Sequence, residues 1–189
     1  MMEWLAPLLV GVALDYGLGE VRRWHPVVLF AAWAEWVREK IEARFASHYS
    51  LKACGVLSWS AAVLPWVILA AVLRVVFPWT WLFDGIVLYF ALGWRSLSEH
   101  AEPIEGALQA NDLPAAREAV SRIVSRDTQA LDSTGVARAA TESVLENGSD
   151  AVFASLFWCL VAGAPGIVLH RFANTLDAMW GYRNERWLE

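Results

Sequence analysis

Ala53 to Leu73 is 21 residues without a charged side chain, closed by Lys52 on one side and Arg74 on the other. An α-helix needs about 20 apolar residues to cross a bilayer. In lipid every backbone N–H and C=O must find a partner inside the segment, so a run of this kind is predicted to be helical. Pro65 lies inside it, where a kink is tolerated. A second uncharged run, Ala151 to Leu169, is interrupted at Gly163-Ala164-Pro165-Gly166. Two further stretches are weaker. The apolar segment 4–14 reaches Leu18 only by carrying Asp15 to the membrane edge, and 75–94 contains Asp84 near its start. The expectation is an all-α integral membrane protein. Its membrane segments are placed at about 4–18, 53–73, 75–94 and 151–169, with a soluble helical segment over 95–150. Composition agrees: hydrophobic residues make up 57% and charged ones 19%, against roughly 45–50% and 25% in soluble domains.

The same data exclude several classes. A net charge of −5 leaves no basic surface, so nucleic acid is not expected as a partner. Cys54 and Cys159 both sit in apolar runs and read as small buried hydrophobes, not as a disulfide or a metal pair. No zinc spacing, P-loop or dinucleotide fingerprint is present. The only early charge is Glu3, so 4–18 lacks the basic start of a secretory signal and reads as a membrane segment. Loop 19–52 carries Arg22, Arg23, Arg38, Lys40, Arg44 and Lys52, whereas 74–83 carries only Arg74. Positive loops stay inside, so 19–52 and 95–150 are expected to face the cytoplasm, with the Pro78–Trp81 turn of a 53–94 hairpin outside. After Pro26 the apolar positions Phe30, Trp33, Ala34 and Val37 recur at helical spacing before a charged stretch, as in an amphipathic helix at the membrane surface.

Within 95–150, Asp112 is a candidate cap for a helix starting near Pro114. Asp132 or Ser133 is the candidate cap for a second helix over Thr134 to Asn147, and Gly148 its stop. Two polar blocks flank the 151–169 run. One holds Arg126, Asp127, Arg138, Glu142, Glu146, Asn147 and Asp150; the other holds His170, Arg171, Asn174 and Asp177. Arg138, Glu142 and Glu146 are spaced i, i+4, i+8, so they share a helix face that Asp150 continues. One reading is a solvated stripe with a weak ion pair. The other is a Mg²⁺ site, because that ion takes carboxylates together with substrate phosphate oxygens. Arg126 and Arg138 would then counter phosphate charge. Arg171, Asn174 and Asp177 share a face at i, i+3, i+6. If 151–169 crosses the membrane the blocks face opposite sides; if it turns back at Gly163–Gly166 they meet. Asp15 reads either as a site residue or as a helix-end carboxylate. His25 reads either as a phosphate contact or as a polar residue before a turn proline.

Five pieces of the chain resemble the adenosylcobinamide-phosphate synthase family, CobD/CbiB, of cobalamin biosynthesis. They are LDYGLGEVRRWHPV at 14–27, SRDTQAL at 125–131, ARAATESVLENGSDAVFASLFW at 137–158, GAPG at 163–166 and ANTLDAMWGY at 173–182. The family usually has Gly-Asp-Pro where this chain has Gly19-Glu20-Val21, and Lys where it has Arg171; it normally continues well beyond the last motif, whereas this chain stops at Glu189. The resemblance implies a multi-pass protein of the bacterial inner membrane with a cytoplasmic active face. It implies ATP-dependent amide ligation of adenosylcobyric acid, the corrinoid substrate, with aminopropanol or its phosphate, and Mg²⁺ alongside ATP. On that basis Glu142, Glu146 and Asp150 are the metal candidates. Asp15, His25, Arg126, Arg138, Asn147 and Arg171 are the substrate and phosphate candidates, and Asp127, Asn174 and Asp177 would orient substrate or accept the amine proton. The lipid membrane and a homo-oligomer or partner subunit are the expected partners. The rival readings are a non-catalytic membrane signalling protein like the AmpE group, or an inactive structural subunit.

Overall fold

The structure is a computed structural model that describes residues 5–21 and 25–181. Arg22 and Arg23 of the basic loop, the first residue of the 4–18 segment and Tyr182 of the last motif lie outside the described residues. Every regular element described is helical. The order is α1 (Ala6–Leu18), α2 (Pro26–Phe45), α3 (Leu51–Val76), α4 (Thr80–Ala91), α5 (Trp94–Gln109), α6 (Leu113–Ser121), α7 (Ser133–Gly148), a π-helical turn (Ser149–Phe153) and α8 (Ala154–Trp180).

Two helical stretches among the described residues are long and apolar enough to cross a membrane by length and composition: α3, and the run from Ser133 to Trp180, which is kinked at Gly163. Ser50 caps α3 by accepting from the Ala53 N–H, and the helix runs through Pro65 to Val76. That end takes Val75 and Val76 away from the expected 75–94 segment. The next helix, α4, has 12 residues, about 18 Å of helix and too short to span a bilayer by itself. Nor does α4 form a long hairpin with α3. It lies against α1 and α8, because its small residues let α1 come close.

α1 and α4 run parallel: Pro7 and Val10 lie against Gly85, and Gly11 lies against Leu88. A Cβ on Gly85 would stand 2.7 Å from the Val10 side chain and 3.1 Å from the Pro7 carbonyl. Gly85→Ala is therefore expected to destabilise the protein by about 1–3 kcal/mol, the usual range for overpacking a tight contact. A lowered Tm in detergent checks this; an unchanged Tm would mean that α1 moves aside freely.

α2 folds back on α3, where Phe30, Ala34 and Val37 meet Ala62 and Val63. The Trp33 indole N–H donates to the Ala62 carbonyl at 3.3 Å. The end of α8 completes this layer through Leu176 and a Phe30–Phe172 stack. Arg38 is buried within α2 and ion-paired to Glu35 and Glu42; these two carboxylates raise the guanidinium pKa above its already high ordinary value.

α5, α6 and α7 form a separate small bundle around Ile104, Ala116, Val120, Val136 and Ala139. Both expected caps are present. Asp112 accepts from the Ala115 N–H at 3.0 Å, and Asp132 accepts from the Gly135 N–H at 2.7 Å. Gly148 is not a stop. Its φ of −64° and ψ of −41° are helical, and the chain continues through the π-helical turn into α8. Gly148 lacks the left-handed conformation that lets a glycine end a helix.

Candidate functional site

Gly163 decides the geometry of the site. It interrupts α8 with φ 61° and ψ −150°, a conformation open essentially to glycine alone. The helix restarts at Ala164, whose N–H donates to Asp84 Oδ1 at 2.9 Å. Asp84 is 4% exposed, and Arg74 Nε donates to both of its oxygens at 3.0 Å. Pro165 falls in the first turn of the restarted helix, where a missing N–H is harmless. Gly166 lies over the Trp158 carbonyl, which a Cβ would approach to 2.9 Å.

The two halves of α8 fold toward each other as a result. His170 Nε2 donates to the Asp150 carbonyl at 2.9 Å. Twenty residues of continuous helix would hold those groups roughly 30 Å apart. The run 151–169 is therefore a turned-back hairpin in this structure and not a straight span, and the two polar blocks meet at Asp150 and His170. The π-helical turn sits at the meeting point. Turns of this kind widen a helix locally and frequently occur at functional sites.

Beside this junction is a cavity of about 520 Å³ whose polar lining includes Glu20, His25, Ser96, Asn147 and Arg171. Arg171 Nε is buried and has no hydrogen-bond partner. An unpaired buried donor on a cation is expensive to maintain, and an anionic oxygen is the group that relieves it best. His25 caps α2 by accepting from the Val27 N–H through Nδ1 at 3.3 Å. Burial lowers its pKa from the ordinary 6.5, so at neutral pH it is an uncharged imidazole with Nε2–H as its remaining donor. His25 is thus the polar residue that caps the helix beginning at Pro26, and it also lines the cavity. Asn147 donates to the Ser143 carbonyl at 2.9 Å, which fixes its amide on α7.

The remaining candidates lie elsewhere. Asp15, 4% exposed, accepts from the Arg95 backbone N–H at 3.0 Å and so caps α5 across the chain. Arg126 pairs with Glu142 at 2.6 Å on the exposed surface, and Asp127 accepts from the Gln129 N–H at 2.9 Å. Arg138 and Glu146 are exposed on α7. Asn174 is half-buried and Asp177 exposed, one and two turns beyond Arg171. Neither lines the cavity, so the shared face of Arg171, Asn174 and Asp177 contributes only its first member. Glu142, Glu146 and Asp150 do not converge either. Among the described residues no group of three or more His, Cys, Asp or Glu could hold a metal ion, since Glu142 is turned to Arg126 and the three are strung along two helical turns. The sequence reading missed the Arg74–Asp84 pair, although a lone carboxylate in an apolar stretch ten residues after a lone arginine was a visible signal. It also passed over Glu20 and Ser96. These are joined by a 2.6 Å hydrogen bond from the Ser96 hydroxyl, a long-range contact with no local signature.

A family model described as CobD/Cbib protein matches residues 8–189. The chain is 56% identical over 175 residues to a protein of Stutzerimonas stutzeri named Cobalamin biosynthesis protein CobD. It is 48% identical over 196 residues to the protein of that name in Chromobacterium violaceum, and 38% over 201 residues to that in Rhodobacter capsulatus. These alignments take in 92%, 96% and 100% of this chain but 56%, 59% and 62% of the relatives, so the chain spans about three-fifths of their length. No solved structure matches.

Proposed function

Because the chain belongs to the CobD/CbiB family of cobalamin biosynthesis proteins, we propose that it carries the anion-binding part of an ATP-dependent amide ligase. That enzyme joins adenosylcobyric acid to aminopropanol or its phosphate. The observation that carries this reading is Arg171, whose buried Nε has no partner at the edge of a cavity. Arg171 fits a phosphate or carboxylate oxygen, and His25 and Asn147 offer neutral polar groups that orient a substrate without repelling it. ATP is the co-substrate that activates the corrinoid carboxylate for attack by the amine. The donor set does not fit a magnesium ion held by protein ligands alone, and no step is assigned to a metal.

The same reading places α3 and the α8 hairpin in the bacterial cell membrane, with 19–52 and 95–150 on the cytoplasmic side. Large apolar side chains on the outer faces of α1 and α3 support it, among them Leu9, Ile68 and Val75. Contiguous apolar surface of that extent marks a lipid or protein contact.

The test is a ligation assay with adenosylcobyric acid, the amine and Mg-ATP. The chain is supplied together with the unmatched part of the Stutzerimonas relative, and the intact relative serves as reference. ATP-dependent amide formation is expected. If the reference turns over while the combination neither binds nucleotide nor forms product, the ligase reading fails and the signalling or structural alternative stands.

A further inference from the structure

α5 and α7 lie antiparallel, and the side away from α6 is open. Two cavities of about 320 and 370 Å³ run end to end along that side and share Ala101, Val144 and Leu145. Together they make one groove from Trp94 to Leu108 on α5, roughly 21 Å at 1.5 Å per residue. Its walls are stripes at helical spacing, and alanines at 101 and 140 keep the floor low enough for another backbone to approach. Leu145 on one wall is 68% exposed, and Trp94 at the mouth is 56% exposed. Nothing in the described chain covers these side chains. The bundle thus has a packed core on one face and a mainly apolar, unfilled face on the other, with Ser98, Glu105, Gln109 and Thr141 among its lining.

We infer that this groove seats an amphipathic helix supplied by the part of the family's chain that lies beyond the matched residues. The alignments leave more than a third of each relative unmatched, ample length for such a helix. The groove has the shape that helix-in-groove recognition uses: apolar anchors at i, i+3, i+4 and i+7 settling between two helical ridges. A lipid surface is a poorer occupant. The near end of the groove takes in Val152 and Phe153 of the apolar run itself, but its far end, at Ala137, lies about 21 Å along the helix from Ala151, whereas surface helices sink only about 5–10 Å into the headgroup region.

The experiment expresses this chain with the unmatched part of the Stutzerimonas relative as a separate polypeptide and measures retention of the second on the first in detergent. Retention by the wild-type chain is expected. Leu145→Glu should lower it at least tenfold while leaving helix content and Tm unchanged, because the fold does not bury that side chain. Tyr16→Glu, on the exposed face of α1, should leave retention unaltered. Leu145→Cys should cross-link to the added polypeptide; Cys54 and Cys159 are buried and should not compete. The inference is overturned if the wild-type chain retains nothing or if Leu145→Glu retains as much as wild type. It is equally overturned if Leu145→Cys cross-links only to a second copy of this chain, or if a fluorophore attached to that thiol is quenched by a lipid-phase spin label with the added polypeptide bound. None of these readings depends on ligase activity.

Discussion

Arg171→Ala should lower kcat/KM for ligation at least a hundredfold, about 2.7 kcal/mol of transition-state stabilisation, without lowering the Tm. The two expectations together separate a binding role from a structural one. In the free protein Arg171 Nε is buried and makes no hydrogen bond. A group in that state costs roughly 1–3 kcal/mol, so its removal leaves stability unchanged or improved. If an anionic substrate oxygen supplies the missing partner, the lost interaction is charge-assisted and formed in a desolvated site, where such bonds are strongest. Arg171→Lys should recover only part of the activity, since an ammonium restores the charge but not the planar fork. A full recovery by lysine would show that charge alone is needed. Parallel losses of Tm and activity in Arg171→Ala would make Arg171 a structural group and remove the carrying observation of the proposed function.

The sequence made the helices legible wherever apolar runs and caps coincided. The uncharged 53–73 run lies inside α3, and Asp112 and Asp132 cap the helices expected of them. What it hid was tertiary. Asp84 looked like a flaw in a span because its partners, Arg74 and the Ala164 N–H, stand 10 and 80 residues away. Gly148 looked like a stop because glycine so often ends helices. Only the contacts of the π-helical turn with α8, seen in the His170 bond to Asp150, show why the chain goes on.

The site was legible in part for the same reason. Spacing correctly says which side chains share a helix face, but not which face meets a cavity. The stripe of Arg138, Glu142 and Glu146 is real and faces solvent, with Glu142 taken by Arg126. Arg171 and Asn147 come from different stripes, and the turn at Gly163 brings them to one cavity. A periodicity argument ranks the three carboxylates above Arg171, whereas burial and an unpaired donor reverse that order.

Gly163→Ala should be strongly destabilising, because it joins backbone strain to a close contact. With φ at 61° and ψ at −150°, a side chain there carries about 1–3 kcal/mol of backbone strain. The new Cβ would also stand 2.6 Å from Arg74 Nε and 2.8 Å from Asp84 Oδ2. Neither atom can retreat freely, because each holds the other and Asp84 also holds the Ala164 N–H. Overpacking adds about 1–3 kcal/mol more, and the sum approaches the whole stability of a marginal fold, about 5–15 kcal/mol. The expected result is a large fall in Tm, or failure to recover folded protein. Asp84→Asn keeps the variant series interpretable when Gly163→Ala does not fold. It retains an oxygen for the Ala164 N–H but loses the charge facing Arg74, so it should fold with a smaller loss of stability. If Gly163→Ala folds with wild-type Tm and activity, the backbone at 163 takes an ordinary helical conformation. The hairpin that brings Asp150 to His170 would then be wrong, and with it the shared cavity.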